Sequence, residues 1–215
     1  MKSVNLRTHS FNPLYFFLRI AGIFSAGPLL FSFKSKGAEN IPSKGGFILV
    51  SNHRSHLDPV MLGFGSKRML SFVARDSLFQ NPVFSWFIKS LNANPIKRGR
   101  VDSGALKLGA KLLSEGKGLV IFPEGTRSKN GELQEGKRGV AMLAIRTGVP
   151  VIPAWVEGTQ NALPRGSRKL KSAPVLVTFG TPIKLEDLVQ TPLTRESYEE
   201  ALLRIMGAIK ALCPS

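Results

Sequence analysis

Length, composition and charge restrict what this chain can be. Its 215 residues are 43% hydrophobic, which is enough to bury a sizeable core and favours one domain over two. The formal net charge of +16 calls for a partner: nucleic acid, an anionic membrane surface, or an acidic substrate or carrier protein. Nucleic acid is the least favoured, because the chain has only two Trp and two Tyr and its basic residues are not interleaved with aromatic ones. The single cysteine, Cys213, excludes a disulfide framework and favours a reducing, cytoplasmic setting.

The N-terminal segment, residues 1–36, is basic and apolar. It has no acidic residue, and cationic side chains flank an apolar run over residues 11–33. The run is interrupted by Asn12, Pro13, Arg19 and Pro28. Its uninterrupted parts are shorter than the roughly 20 apolar residues of a membrane-spanning helix. We therefore expect an amphipathic helix, or a helix pair, that lies in the membrane interface; a core helix, a cleaved signal peptide and a true span are the alternatives.

From residue 37 onwards, strand and helix patterns alternate. Strands are predicted over residues 46–51, 69–74, 94–97, 118–122, 149–156 and 175–179, which are short apolar runs bounded by turn residues. Helices are predicted from Asp58, where Asp-Pro is a start signal, and over residues 82–91, 102–115, 137–147 and 194–212. Gly148 suits a left-handed helix cap, and Thr194 opens the last helix. This alternation predicts one α/β domain, residues 37–215, with a single mostly parallel sheet flanked by helices.

The loop after the first predicted strand contains His53 and Asp58. Five residues apart, they do not share a helical face, but a tight loop can bring them together. Asp58 would then bond one imidazole nitrogen and leave the other as a general base; the alternative is a helix cap at Asp58 and a loop histidine bonded to backbone. Amides after His53 are candidate donors to an oxyanion. A metal site of His53 and His56 is not favoured, because the core supplies no third histidine.

A second polar motif, residues 122–128, follows another buried strand. Because the carboxyl ends of parallel strands meet at one edge of a sheet, we expect both motifs to share one crevice. Arg127 supplies a planar fork that matches a phosphate group, and Gly125 lets backbone amides approach an anion. Glu124 is expected to hold Arg127 or to accept a hydrogen bond from a substrate hydroxyl. The alternative is a turn with a surface ion pair.

Basic residues also follow other predicted strands. Arg75 comes after the second strand, and Lys97, Arg98 and Arg100 come after the third. Each could be a solvated surface residue. Their repeated placement after strands favours an anion-lined site that includes at least Arg98.

Four motifs in order carry a family resemblance. They are Asn-His-Arg-Ser-His-Leu-Asp at residues 52–58, Pro-Ile-Lys-Arg at 95–98, Phe-Pro-Glu-Gly-Thr-Arg-Ser at 122–128 and Val-Ile-Pro at 151–153. Together with Gly-Ala-Glu-Asn-Ile-Pro at 37–42, they resemble the glycerolipid acyltransferases, and within that family the lysophosphatidate acyltransferases of the PlsC type. The resemblance covers about residues 37–181, and four ordered motifs are far more specific than one.

The resemblance implies a membrane enzyme of phospholipid biosynthesis. It would transfer a fatty acyl group from a thioester, acyl-CoA or an acidic acyl carrier protein, to the free hydroxyl of lysophosphatidic acid, giving phosphatidic acid. No resident cofactor or metal is implied, and the expected location is an anionic membrane surface at the cytoplasmic face of the cytoplasmic membrane. The catalytic roles fall on His53 as base and Asp58 as its orienter. The substrate-binding roles fall on Arg75, Arg98, Glu124, Gly125, Thr126 and Arg127, with Arg75 standing where relatives often have lysine.

The physical chemistry agrees with this implication. A glycerol hydroxyl is a weak nucleophile until a base takes its proton, whereas a thiolate leaves readily, so direct transfer needs no nucleophile from the enzyme. This suits a chain with no Gly-x-Ser-x-Gly motif and its only cysteine near the end. Another acceptor, such as glycerol 3-phosphate, a lysophospholipid or a lyso-aminolipid, is an alternative. A different class of alternative is a non-catalytic basic protein that binds lipid or nucleic acid.

Overall fold

The described chain is built around one seven-stranded sheet. The computed structural model describes residues 31–90, 92–96, 101–167, 169–189 and 193–214. The strands are β1 Lys34–Lys36, β2 Phe47–Ser51, β3 Leu70–Arg75, β4 Ala93–Ile96, β5 Gly118–Ile121, β6 Val151–Glu157 and β7 Leu176–Phe179. Six of them confirm the predicted strands, with ends shifted by at most two residues.

The strands are arranged in the order β1-β7-β6-β2-β5-β3-β4. All neighbouring pairs are parallel except β6 and β7, which confirms the prediction of a mostly parallel sheet. The sequence pattern does not predict β1, because its three residues are all exposed and show no apolar alternation. Lys34–Lys36, which the sequence placed in the N-terminal helical segment, therefore belong to the sheet.

Helices cover both faces of the sheet. They are α1 Asp58–Gly65, α2 Pro82–Ser90, α3 Val101–Ser114, α4 Gly139–Thr147, α5 Thr159–Ala162 and α6 Arg195–Ala211, with 3-10 turns at Ala38–Asn40, Asp76–Phe79 and Glu186–Leu188. Helix α4 begins two residues later than predicted, and the amide of Lys137 before it donates to the carbonyl of Pro123. Two predicted caps are confirmed: Gly148 is left-handed with φ 62°, and the Thr194 side chain accepts the amide of Ser197.

Strand β2 is buried on both faces. Phe47 and Leu49 belong to an apolar cluster that residues of α1 complete, whereas Ile48 and Val50 belong to a second cluster completed by α3, α4 and α6. All four side chains are fully buried, which explains why this strand reads as an uninterrupted apolar run. Because β2 lies between β5 and β6 and runs parallel to both, the loops after these three strands meet at one edge of the sheet.

The predicted membrane helix lies mostly in residues 1–30, outside the described residues. Within the described part of the chain, no helix is long and apolar enough to cross a membrane. Phe31, the first described residue, is buried, and its carbonyl accepts the amide of Val175. The N-terminal segment is therefore joined to the domain next to strands β1 and β7.

The turn after β6 requires glycine. Gly158 has a left-handed backbone with φ 89°, and a Cβ atom at this position would overlap the carbonyl oxygen of Pro174. The next residue is the first of α5. Gly158 therefore sets the direction in which the chain leaves β6.

Gly158→Ala should destabilise the protein. Alanine would add the cost of a left-handed backbone, roughly 1–2 kcal/mol, and a clash with a backbone carbonyl that no side-chain rotation relieves. We expect a total loss of about 3 kcal/mol in the free energy of unfolding, measured by thermal or denaturant unfolding. Gly166→Ala is the matched control, since Gly166 has φ 83° but no atom within 4 Å of a Cβ. Equal losses for the two variants would show that the Pro174 contact is unimportant.

Candidate active site

The loop after β2 holds a histidine and an aspartate in direct contact. The Nδ1 atom of His53 lies 2.8 Å from the Oδ2 atom of Asp58, whose side chain is 0% exposed. The same oxygen accepts the amides of Arg54 at 2.6 Å and Ser55 at 2.8 Å. A carboxylate only accepts hydrogen bonds, so His53 donates through Nδ1 and its Nε2 atom is left as a proton acceptor. The tight loop predicted from the spacing therefore forms.

The structure decides between the two expectations for Asp58. Helix α1 begins at Asp58 itself, with Leu57 at the cap position and no side-chain cap. The carboxylate faces backwards to the amides of the loop rather than forwards to those of the helix. The expectation that Asp58 caps the helix is wrong, because the loop amides and the imidazole engage its Oδ2 atom.

The same contacts correct the expected oxyanion donors. The amides of Arg54 and Ser55 donate to Asp58, and the amide of Leu57 donates to the hydroxyl of Ser55. These three groups are already engaged within the loop. These three amides are therefore not available to an oxyanion, whereas the expectation for the other amides after His53, such as that of His56, stays a prediction.

The loop after β5 holds the backbone of His53. The amide of His53 donates to Glu124 Oε1 at 2.7 Å, and its carbonyl accepts the amide of Ser128 at 2.8 Å. The imidazole also stacks on the ring of Phe122, with 4.1 Å between ring centroids and 20° between the planes. The two polar motifs therefore lie side by side, as predicted from their positions after parallel strands.

Glu124 joins two segments of the site. Its side chain is buried, and its second oxygen accepts the amide of Gln134 at 2.9 Å. Burial raises the pKa of Glu124 above its ordinary value, and the hydrogen bonds from Gln134 and His53 act in the opposite direction. The sequence expectation assigned Glu124 to Arg127 or to a substrate hydroxyl. In the structure, its two oxygens instead accept backbone amides of His53 and Gln134.

Cationic groups surround the rim of the site. Burial lowers the pKa of Arg127, and the nearby charge of Arg165 lowers it further. Burial also lowers the pKa of His56, with the charge of Arg127 as the second cause, which favours the neutral form of His56. Gly125 has φ 68°, and the Nζ atom of Lys137 lies 3.0 Å from the position of a Cβ there. Among the described residues, no carboxylate forms an ion pair with Arg127, Lys137 or Arg165, so their charge is available to an anion.

Strand β6 and the turn that follows it contact the other side of the His53 loop. The side chain of Asn52 exchanges two hydrogen bonds with the backbone of Val156, at 2.8 and 2.9 Å. Arg54 donates from Nη1 to both oxygens of Glu157 at 2.9 Å and lies 4.8 Å from the centre of the Trp155 ring. Sequence reasoning did not find these partners, because they are more than 100 residues apart in the chain.

The surroundings of Glu157 favour its charged form, which pairs with Arg54. Burial acts to raise its pKa, but hydrogen bonds from Trp155 and Gln160 and the charge of Arg54 outweigh burial, so the pKa is lowered. Glu157 is therefore held as a carboxylate against Arg54. A second residue of this region, Thr159, donates from its hydroxyl to the Oδ1 atom of Asp58 at 2.6 Å.

The remaining predicted site residues are placed less closely or not at all. Thr126 is exposed between Gly125 and Arg127. Arg75 is the last residue of β3, which is separated from β2 by β5. Arg98 lies outside the described residues and stays a prediction. No group of three or more His, Cys, Asp or Glu in the described ranges is arranged to hold a metal ion.

The fold and the site define an α/β protein in which a hydrogen-bonded histidine and aspartate lie near cationic side chains. A family model described as "Acyltransferase" matches residues 32–157. The chain belongs to this acyltransferase family. The matched region contains the His53 loop and the Glu124 to Arg127 motif, and it ends at the last residue of β6.

Named relatives agree with this assignment. The chain is 37% identical over 153 residues to a chloroplastic 1-acyl-sn-glycerol-3-phosphate acyltransferase of Brassica napus, covering 69% of this chain and 44% of the relative. It is 30% identical over 155 residues to the 1-acyl-sn-glycerol-3-phosphate acyltransferase of Bacillus subtilis, covering 72% of this chain and 75% of the relative. The chain thus spans less than half the length of the plant relative.

A solved structure shows the same fold. The crystal structure of the 1-acyl-sn-glycerophosphate (LPA) acyltransferase PlsC from Thermotoga maritima matches with a TM-score of 0.64 and 24% identity. The match covers 95% of this chain and 96% of that one. The mostly parallel sheet flanked by helices is therefore the fold of this protein.

Proposed function

We propose that this protein transfers a fatty acyl group from a thioester to the free hydroxyl of lysophosphatidic acid, giving phosphatidic acid. The observation that carries the proposal is the 2.8 Å contact between His53 and the buried Asp58. Arg127 lies near this pair, and none of the described carboxylates forms an ion pair with it. The activity for which the relatives are named supports the same reaction. A base next to a phosphate-binding cation is what a phosphorylated acceptor with one free hydroxyl requires.

The chemistry follows from the orientation of the imidazole. The Nε2 atom of His53 takes the hydroxyl proton as the acceptor oxygen bonds to the thioester carbonyl carbon. The carbon–sulfur bond then breaks, and the proton held by His53 passes to the departing thiolate. Asp58 fixes the tautomer and stabilises the transient imidazolium. No covalent enzyme intermediate is needed, which agrees with an exposed Cys213 that is followed by only two residues of the sequence.

Arg127 is proposed to bind the phosphate group of the acceptor. It lies on the loop that holds His53, and no described carboxylate competes for its guanidinium. A guanidinium presents two parallel N–H groups that match a phosphate. Arg98 is proposed to share this role, on the family resemblance. Glu124 is proposed to act by holding His53, since its carboxylate accepts the His53 amide.

The donor is proposed to be acyl-CoA or an acyl carrier protein, used as a co-substrate without a resident cofactor. The net charge of +16 favours both an acidic donor and an anionic membrane. The protein is proposed to work at the cytoplasmic face of the cytoplasmic membrane, held by the amphipathic segment before β1. This location follows the expectation for residues 1–36, of which residues 34–36 form β1.

His53→Ala should abolish transfer while the protein stays folded. Removing the base should lower kcat by roughly 10²- to 10⁴-fold, measured with a labelled thioester and lysophosphatidic acid. His56→Ala is the matched control, because it removes a histidine of the same loop that the proposed mechanism does not use. Full activity in a folded His53→Ala variant would refute the mechanism. Turnover of glycerol 3-phosphate or another lysophospholipid in preference to lysophosphatidic acid would assign a different acceptor.

Arg127→Gln should weaken use of the phosphorylated acceptor. Loss of a charged hydrogen bond, about 1.5–3 kcal/mol, should lower kcat/KM for lysophosphatidic acid about 10- to 100-fold, chiefly through KM. The same variant should use monoacylglycerol, which lacks the phosphate, as well as the wild type does. Arg146→Gln, an exposed arginine in the last turn of α4, is the control. An equal loss of kcat/KM for both acceptors would show that Arg127 does not bind the phosphate.

Deleting residues 1–30 should release the protein from vesicles that contain anionic phospholipid. The shortened chain keeps Phe31 and all of β1, so its sheet should still form. Co-sedimentation with anionic and with neutral vesicles measures the effect, and only the full chain should bind the anionic ones strongly. Unchanged binding by a folded deletion variant would show that another surface holds the membrane.

A further inference from the structure

The two oxygens of the Asp58 carboxylate are held by different parts of the fold. Oδ2 faces the loop, where it meets His53, Arg54 and Ser55. Oδ1 accepts the hydroxyl of Thr159 at 2.6 Å. A carboxylate is planar, so fixing Oδ1 also fixes the direction in which Oδ2 meets the imidazole. Thr159 therefore holds Oδ1, whereas the hydrogen bonds of the loop go to Oδ2.

In this contact, the Thr159 hydroxyl is the hydrogen-bond donor to the Asp58 carboxylate. Asp58 and Thr159 are both 0% exposed, so water does not compete for the hydrogen bond. A carboxylate cannot donate, so the hydroxyl donates to it, and the distance is that of a charge-assisted bond. The branched side chain of threonine also restricts rotation about its first side-chain torsion.

The fold keeps Thr159 in place from outside the loop. Thr159 is the first residue of α5, and its carbonyl accepts the amide of Leu163. The preceding Gly158 packs against the backbone carbonyl of Pro174 with a left-handed φ of 89°. Because β6 and β2 are neighbours in the sheet, this turn lies directly beside the His53 loop. Thr159 lies two residues beyond the region that the family model matches.

We propose that Thr159 is a positioning residue for the reaction, which aligns the Asp58 carboxylate and, through it, the base His53. The inference rests on the proposed acyl transfer. Thr159 itself touches no reacting atom. Its loss should therefore slow the chemical step and leave substrate binding almost unchanged, because misplacing a base affects the transition state more than the ground state.

Two substitutions test this role. Thr159→Val keeps the volume and branching but removes the hydroxyl, and it should lower kcat about 10- to 100-fold with nearly unchanged KM for both substrates. Thr159→Ser keeps the hydroxyl and should recover most of kcat. Thr147→Val is the matched control, since the hydroxyl of Thr147 bonds only backbone carbonyls at the end of α4. This control should leave kcat unchanged.

A second measurement does not depend on turnover. The proton on Nδ1 of His53, shared with Asp58, should give a far-downfield nuclear magnetic resonance signal in the wild type and in Thr159→Ser, and the signal should shift or vanish in Thr159→Val. If the wild type transfers no acyl group, the proposed function fails, but this signal still shows whether Thr159 aligns the Asp58 carboxylate with His53. If the wild type is active and Thr159→Val keeps its kcat and its signal, even with lower thermal stability, Thr159 has only a structural role.

Discussion

The buried carboxylate of Asp58 is the constraint on which the whole site depends. A carboxylate removed from water is tolerated only when protein hydrogen bonds replace its hydration. Here four groups do so: the imidazole of His53, the amides of Arg54 and Ser55, and the hydroxyl of Thr159. Three of these donors belong to the loop itself, so the loop must fold back on the start of α1. The hydrogen bonding of one side chain thus shapes the loop and orients the histidine.

The order of the strands supplies the rest of this support. Strand β2 lies between β5 and β6, so the His53 loop is held from two sides. On the β5 side, Glu124 and Ser128 bond the main chain of His53. On the β6 side, Glu157 and Thr159 bond side chains of the loop. An imidazole held in this way needs little rearrangement before it accepts a proton, which favours its proposed role as the general base.

Part of the positive charge of the chain lies close to the His53 loop. The charge of Arg165 lowers the pKa of Arg127, and Arg165 is held beside it by hydrogen bonds from its Nη1 atom to the carbonyls of Arg127 and Ser128. His56 is kept from adding to this charge, because burial and Arg127 both lower its pKa. Arg127, Arg165 and Lys137 therefore remain the cationic groups near the His53 loop. This placement of cations is consistent with the proposed binding of a phosphate group.

Local patterns in the sequence determined much of the protein: six strands, five of the helices, the mostly parallel sheet, and the placement of His53 and Asp58 in one loop. They did so because apolar runs, helix-start residues and short spacings act within a few residues of the chain. Only the tertiary structure decided that Asp58 orients His53 rather than capping α1, that Glu124 bonds the His53 amide, and that β1 joins the sheet. It alone brought in Thr159, 101 residues from Asp58. The physical reason is that strand order sets which loops share hydrogen bonds, and no local pattern encodes strand order.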